Sequence, residues 1–213
     1  MIFNQKIAQQ TAESLLQINA IKLNPKNPFT WASGWQSPIY CDNRVALSYP
    51  EIRTNLCQWI SSEITSNYVS DVIIAGVATG AIGIGMLVAQ ELGLPFIYVR
   101  PEPKKHGRKN QIEGKLDPGQ KVIVIEDLIS TGKSSLNTVN ALREAKSEVL
   151  GMLALFTYGF PQATSVFEES NVKLQTLCDY PKLLEVALSK NKITETESQN
   201  LSEWRKDPAN WTP

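Results

Sequence analysis

The chain has 213 residues, room for one substantial domain and too little for two. Its 21 basic and 21 acidic residues cancel, so no global field draws it to nucleic acid or to an anionic membrane, and any anion must be held by local groups. Three cysteines, Cys41, Cys57 and Cys178, with no CxxC pair, and a single histidine predict a reduced, cytoplasmic protein without a histidine-rich metal cluster. The polar first twenty residues lack the apolar stretch of a secretory signal.

In chain order, Ile7, Ala8, Ala12, Leu15 and Leu16 recur at helical spacing and predict a packing helix over residues 4–19. Residues 20–47 alternate short apolar stretches with Asn, Pro, Ser and Gly, the pattern of a small β-rich cap. Inside it, residues 29–44 read FTWASGWQSPIYCDNR. Its aromatic rings and terminal Arg44 would suit a planar anionic ligand, and would equally make an aromatic mini-core. Ser48, Pro50 and Glu51 then read as a capping box and first-turn proline, ahead of a helix with Ile52, Leu56, Trp59 and Ile60 on its buried face.

A βαβ unit follows, with strands at 72–75 and 96–99 around a helix near 81–92. Residues 72–89 carry no charge, but Gly76, Gly80, Gly83 and Gly85 break the run into buried strand, turn and helix rather than a membrane span. GVATGA at 76–81 offers backbone amides to a phosphate, while the absence of GxGxxG leaves a dinucleotide site unsupported. Residues 100–119 form the least periodic stretch, opening with RPEPKKHGRK, five basic residues against one acid. So long a polar loop inside a compact domain predicts a lid or binding loop.

Residues 121–135, KVIVIEDLISTGKSS, give an apolar strand over 122–125, two acids, a polar loop and a helix starting at Gly132 or Lys133. A strand apolar on both faces belongs in the middle of a parallel sheet, with ligands beyond its carboxyl end. Ser130 to Ser134 can cradle a phosphate through hydroxyls and amides. Glu126 and Asp127 would repel that phosphate and so accept from neutral hydroxyls on the same ligand, as a sugar phosphate provides. A nucleotide P-loop is excluded because Asp127 stands where that motif needs glycine. A helix over 133–146, strands near 149–157 and 172–176, and helices near 180–189 and 195–206 complete the pattern, with no repeat or low-complexity block.

The acid pair with its Ser/Thr/Gly loop resembles the phosphoribosyl pyrophosphate (PRPP) signature of type I phosphoribosyltransferases. Together with FTWASGWQSP and the basic loop at 100–109, it is similar to the orotate phosphoribosyltransferases over residues 4–203. The resemblance implies one α/β domain over 1–213: a mainly parallel twisted sheet with helices on both faces, an N-terminal hood at 20–47 and a mobile catalytic loop at 100–119. It implies transfer of the phosphoribosyl group from PRPP to orotate in pyrimidine biosynthesis, giving orotidine 5′-monophosphate and pyrophosphate. Lys104, His106 and Asp127 would be catalytic. Arg100, Lys104, His106, Glu126, Asp127, Leu128, Ile129, Ser130, Thr131, Gly132, Lys133 and Ser134 would bind PRPP, and Tyr40, Cys41, Arg44 and Ser130 would bind orotate.

The resemblance further implies magnesium chelated by substrate oxygens without protein side-chain ligands, and a homodimer with sites shared between subunits. No nucleic acid or membrane partner is expected. The chain departs from common forms of the family at Pro101, at Ala32 and at residues 156–159, which makes Arg44 the candidate counter-charge for orotate. The rival readings are a purine phosphoribosyltransferase and a non-catalytic PRPP-sensing regulator on the same fold.

Overall fold

A computed structural model describes residues 2–31, 34–102 and 111–212. The N-terminal helix α1 (Gln5–Gln17) is capped by Asn4, whose side chain accepts from the Lys6 and Ile7 amides. Four short strands follow: β1 (Ile21–Leu23), β2 (Phe29–Thr30), β3 (Gln36–Ser37) and β4 (Ile39–Cys41). β1 pairs with β4 and β2 with β3, both antiparallel, and a 3-10 turn at Asn43–Ser48 leads into α2 (Pro50–Asn67). Pro50 occupies the first turn as expected, but the Ser48 capping box does not form. Ser48 closes the 3-10 turn, and the cap position is Tyr49, which makes no side-chain cap bond.

The remaining elements are β5 (Ile73–Val77), α3 (Ile82–Leu92), β6 (Phe96–Val99), β7 (Ile112–Glu113), β8 (Lys121–Ile129), α4 (Lys133–Glu144), β9 (Glu148–Thr157), α5 (Pro161–Glu169), β10 (Leu174–Asp179), α6 (Tyr180–Ser189) and α7 (Glu195–Lys206). The six strands from β5 onward form one sheet in the order β10-β9-β8-β5-β6-β7, parallel except at β6–β7. Because the chain leaves β5 toward one edge and β8 toward the other, right-handed crossovers place α3 and α4 on opposite faces. β5 is buried along its whole length and β8 from Val122 to Glu126, the burial that a doubly covered central strand requires.

The uncharged run at 72–89 resolves into β5, a turn and α3, and no helix among the described residues is long and apolar enough to cross a membrane. Gly76 and Gly85 let α3 lie close on the sheet: a Cβ on Gly76 would sit 2.9 Å from the Ala81 carbonyl oxygen, and one on Gly85 3.0 Å from the Phe96 ring. Three expectations are corrected. β8 continues past residue 125, and Glu126, Leu128 and Ile129 pair with Ala154, Phe156 and Thr157. The segment at 100–119 is not all loop, because β7 returns against β6, with Val99 opposite Ile112. A further helix, α5, fills part of the gap between β9 and β10, which itself begins later than expected.

Candidate active site

Where β8 reaches its carboxyl end, β5, α4 and the 3-10 turn converge on a cavity of about 540 Å³. Its floor is Glu126, Asp127, Ser130 and the segment to Ser135; its walls are residues 77–80 on one side and Asp42 and Arg44 on the other. Gly132 turns the chain with φ +83°, and a Cβ there would lie 2.9 Å from the Phe167 ring, so the turn requires glycine. Among the described residues no side chain caps α4. Its first amides therefore face the cavity without an internal acceptor, as an anion site needs. The opposing loop has a cis peptide between Ala78 and Thr79.

The two acids differ in surroundings. Glu126 is 3% exposed; its Oε2 accepts from the Ser135 hydroxyl at 2.8 Å and its Oε1 from the Asp127 amide at 3.0 Å. Burial, reinforced by the neighbouring Asp127 carboxylate, pushes the Glu126 carboxyl well above the usual carboxylate range. Asp127 is partly exposed and lines the cavity. Burial raises its carboxyl too, against the pull of Arg44. The Asp127 carboxylate lies directly over Gly80, where a Cβ would come within 2.5 Å of Oδ2. From below, the Asn43 side-chain amide donates to the Asp127 carbonyl at 2.6 Å, and the Cys41 thiol donates to Asn43 Oδ1 at 3.3 Å.

A second cavity of about 260 Å³ adjoins the first across Cys41, Leu128 and Ser130, and is completed by Thr30, Trp31, Tyr40 and Tyr158. Trp31 is fixed by its indole N–H donating to the Ile39 carbonyl at 3.1 Å, with its ring 5.2 Å from Tyr158. The slot is lined largely by aromatic rings and by no charged side chain among the described residues.

The structure brings Tyr40, Cys41 and Ser130 together at this slot. Arg44 lines the larger cavity instead, its guanidinium gripping Asp42 through Nε at 2.7 Å and Nη2 at 2.9 Å. Ile129 lines neither cavity; its side chain is fully buried and its carbonyl accepts from the Tyr158 amide at 3.1 Å. Arg100 lies 3.6 Å from Glu113 and is followed by Pro101 at the cavity wall. Lys104, His106 and Ala32 lie outside the described residues.

A family model described as phosphoribosyl transferase domain matches residues 50–176. The chain is 57% identical over 200 residues to the orotate phosphoribosyltransferase of Phocaeicola vulgatus, covering 94% of each chain. The chain belongs to the orotate phosphoribosyltransferases. Among solved structures, the orotate phosphoribosyltransferase from Aeropyrum pernix superimposes with a TM-score of 0.72 at 28% identity, covering 82% of this chain and 96% of that one. The UMP synthase of Leishmania donovani gives 0.78 at 26% identity, and there the match spans 93% of this chain but only 42% of the longer protein.

Beside the residues named from the sequence, the structure places Asn43 and Ser135 against the acid pair, and Tyr158, within the 156–159 segment, at the slot. Ser135 had a signal, since the first turn of a helix beginning at Lys133 carries it back toward Glu126. Asn43 had none, because its bond to Asp127 spans 84 residues.

Proposed function

We propose that the larger cavity binds PRPP, the aromatic slot binds orotate, and the chain joins the two to give orotidine 5′-monophosphate and pyrophosphate. The observation that carries this reading is the placement of Asp127 between an uncapped helix N-terminus and the 78–80 loop, with the slot opening beside it. The amides at 131–134 hold the 5′-phosphate, Asp127 accepts from a ribose hydroxyl with the buried Glu126 holding its backbone amide from behind, and the loop at 76–81 faces the pyrophosphate. In the reaction the bond from ribose C1 to pyrophosphate oxygen breaks, a bond from C1 to orotate N1 forms, and the N1 proton passes to the departing pyrophosphate or to water. C1 becomes electron-poor on the way, and Asp127 offsets that charge while Arg100, Lys104 and His106 neutralise the leaving group.

The donor set fits a magnesium ion carried by substrate oxygens. Both Glu126 oxygens are engaged, which leaves Asp127 as the carboxylate at the cavity surface. Among the described residues no group of three or more His, Cys, Asp or Glu side chains gathers around a metal position. Bound there, the ion would supply positive charge to the departing pyrophosphate.

The enzyme works as a cytoplasmic homodimer in which the basic loop closes over the neighbour's cavity; the long polar connection between β6 and β7 supports that reading. The assignment of the acids is tested by Asp127→Asn. Loss of a charge-assisted bond in a partly dry site should lower kcat/KM for PRPP by at least about tenfold. A value equal to wild type removes Asp127 from the reaction.

A further inference from the structure

We propose that the Tyr158 hydroxyl reads the base, donating a hydrogen bond to an oxygen of the planar ring held in the aromatic slot. The proposal rests on reading that slot as the orotate site. Tyr158 is 2% exposed, and its ring is caged at 5.2–5.8 Å by Trp31, Phe156, Phe160 and Trp204. A ring held on these sides presents its oxygen in one place.

That oxygen has no hydrogen-bond partner among the described residues. Tyr158 lines the slot with the small part of its surface that stays exposed. An unpaired O–H there is costly when the slot holds a ligand without an acceptor and is satisfied by one that has it. Burial pushes the phenol well above its ordinary range, so it remains a donor. Orotate offers ring carbonyl oxygens and a carboxylate. A base presenting only C–H at that position leaves the hydroxyl desolvated and is rejected, which makes Tyr158 a specificity-determining residue.

The test is Tyr158→Phe, assayed against orotate and PRPP separately. Because the hydroxyl bonds no other described residue, the variant should melt at or above the wild-type temperature. Its KM for orotate should rise roughly five- to thirtyfold, the loss of one buried hydrogen bond, with kcat and the KM for PRPP unchanged. An unchanged orotate KM overturns the proposal. A lowered melting temperature also overturns it, since it would reveal a structural partner for the hydroxyl. Wild-type protein that consumes no orotate would instead defeat the assignment of the slot itself, a result visible before any variant is compared.

Discussion

Gly80→Ala probes the contact on which the larger cavity depends. A Cβ at this position would lie 2.5 Å from Oδ2 of Asp127, whereas non-bonded heavy atoms settle roughly 3.5 Å apart. Either the loop at 78–80 or the Asp127 carboxylate must therefore retreat by about 1 Å. If the loop moves, overpacking costs about 1–3 kcal/mol and the melting temperature falls by about 2–4 °C for each kcal/mol. If the carboxylate swings away, stability is spared. In both cases a group aimed at the ribose is misplaced by a distance that can cost on the order of 100-fold in rate. Steady-state kinetics with PRPP varied at saturating orotate should show that loss in kcat/KM. Gly93→Ala is the control: Gly93 has φ +64°, a Cβ added there would meet no atom within 4 Å, and the residue does not line the cavity. It should cost about 1–2 kcal/mol of stability and leave kcat/KM intact. A Gly80→Ala enzyme within about threefold of wild type would refute the packing of loop against acid.

Glu126→Gln should stabilise the protein increasingly as pH rises. The native Glu126 carboxyl titrates above its unfolded value of 4.5, so between those values the folded state holds more protons, and its stability falls as pH climbs through that window. A glutamine keeps both contacts, accepting from the Asp127 amide and donating to the Ser135 hydroxyl, without the charge. Its melting advantage should be larger at about pH 8 than at about pH 4, and a constant or reversed difference would contradict the buried charge. Arg44→Ala should raise the KM for orotate by no more than about fivefold, the scale of an exposed charge acting from the rim; an unchanged value would detach Arg44 from orotate binding. Mixing Lys104→Ala with Asp127→Asn subunits should recover roughly a quarter of wild-type activity, since about half the dimers would hold one intact shared site. No recovery would mean that each loop serves its own subunit.

The strands and helices that bear the site were legible because each carries its own local signal. Val122 to Ile125 announced a central strand, and the Gly132–Lys133 boundary marked where α4 begins. What was not legible depends on distant partners. Whether β8 stops at Ile125 or runs to Ile129 is decided by its pairing with β9. α5 was hidden because only Ala163 and Phe167 of its residues are buried, too short an apolar pattern to stand out. The capping box at Ser48 is missing because the chain there closes a 3-10 turn, which starts at the Asp42 cap and carries Asn43 to the Asp127 carbonyl. The aromatic segment at 29–44 could be read as ligand site or mini-core. In the fold Trp31 packs against the buried Trp204 at 5.6 Å, as a mini-core would, and also lines the slot.

The central claim is that one cavity takes PRPP and the neighbouring slot takes orotate. The most direct test supplies the purified protein with PRPP, magnesium and an equimolar mixture of orotate, uracil, adenine, hypoxanthine and xanthine, and follows each base and pyrophosphate with time. The account predicts that orotate alone disappears, in step with pyrophosphate release and the appearance of orotidine 5′-monophosphate. Consumption of a purine in its place, or PRPP binding with no base consumed, would contradict it.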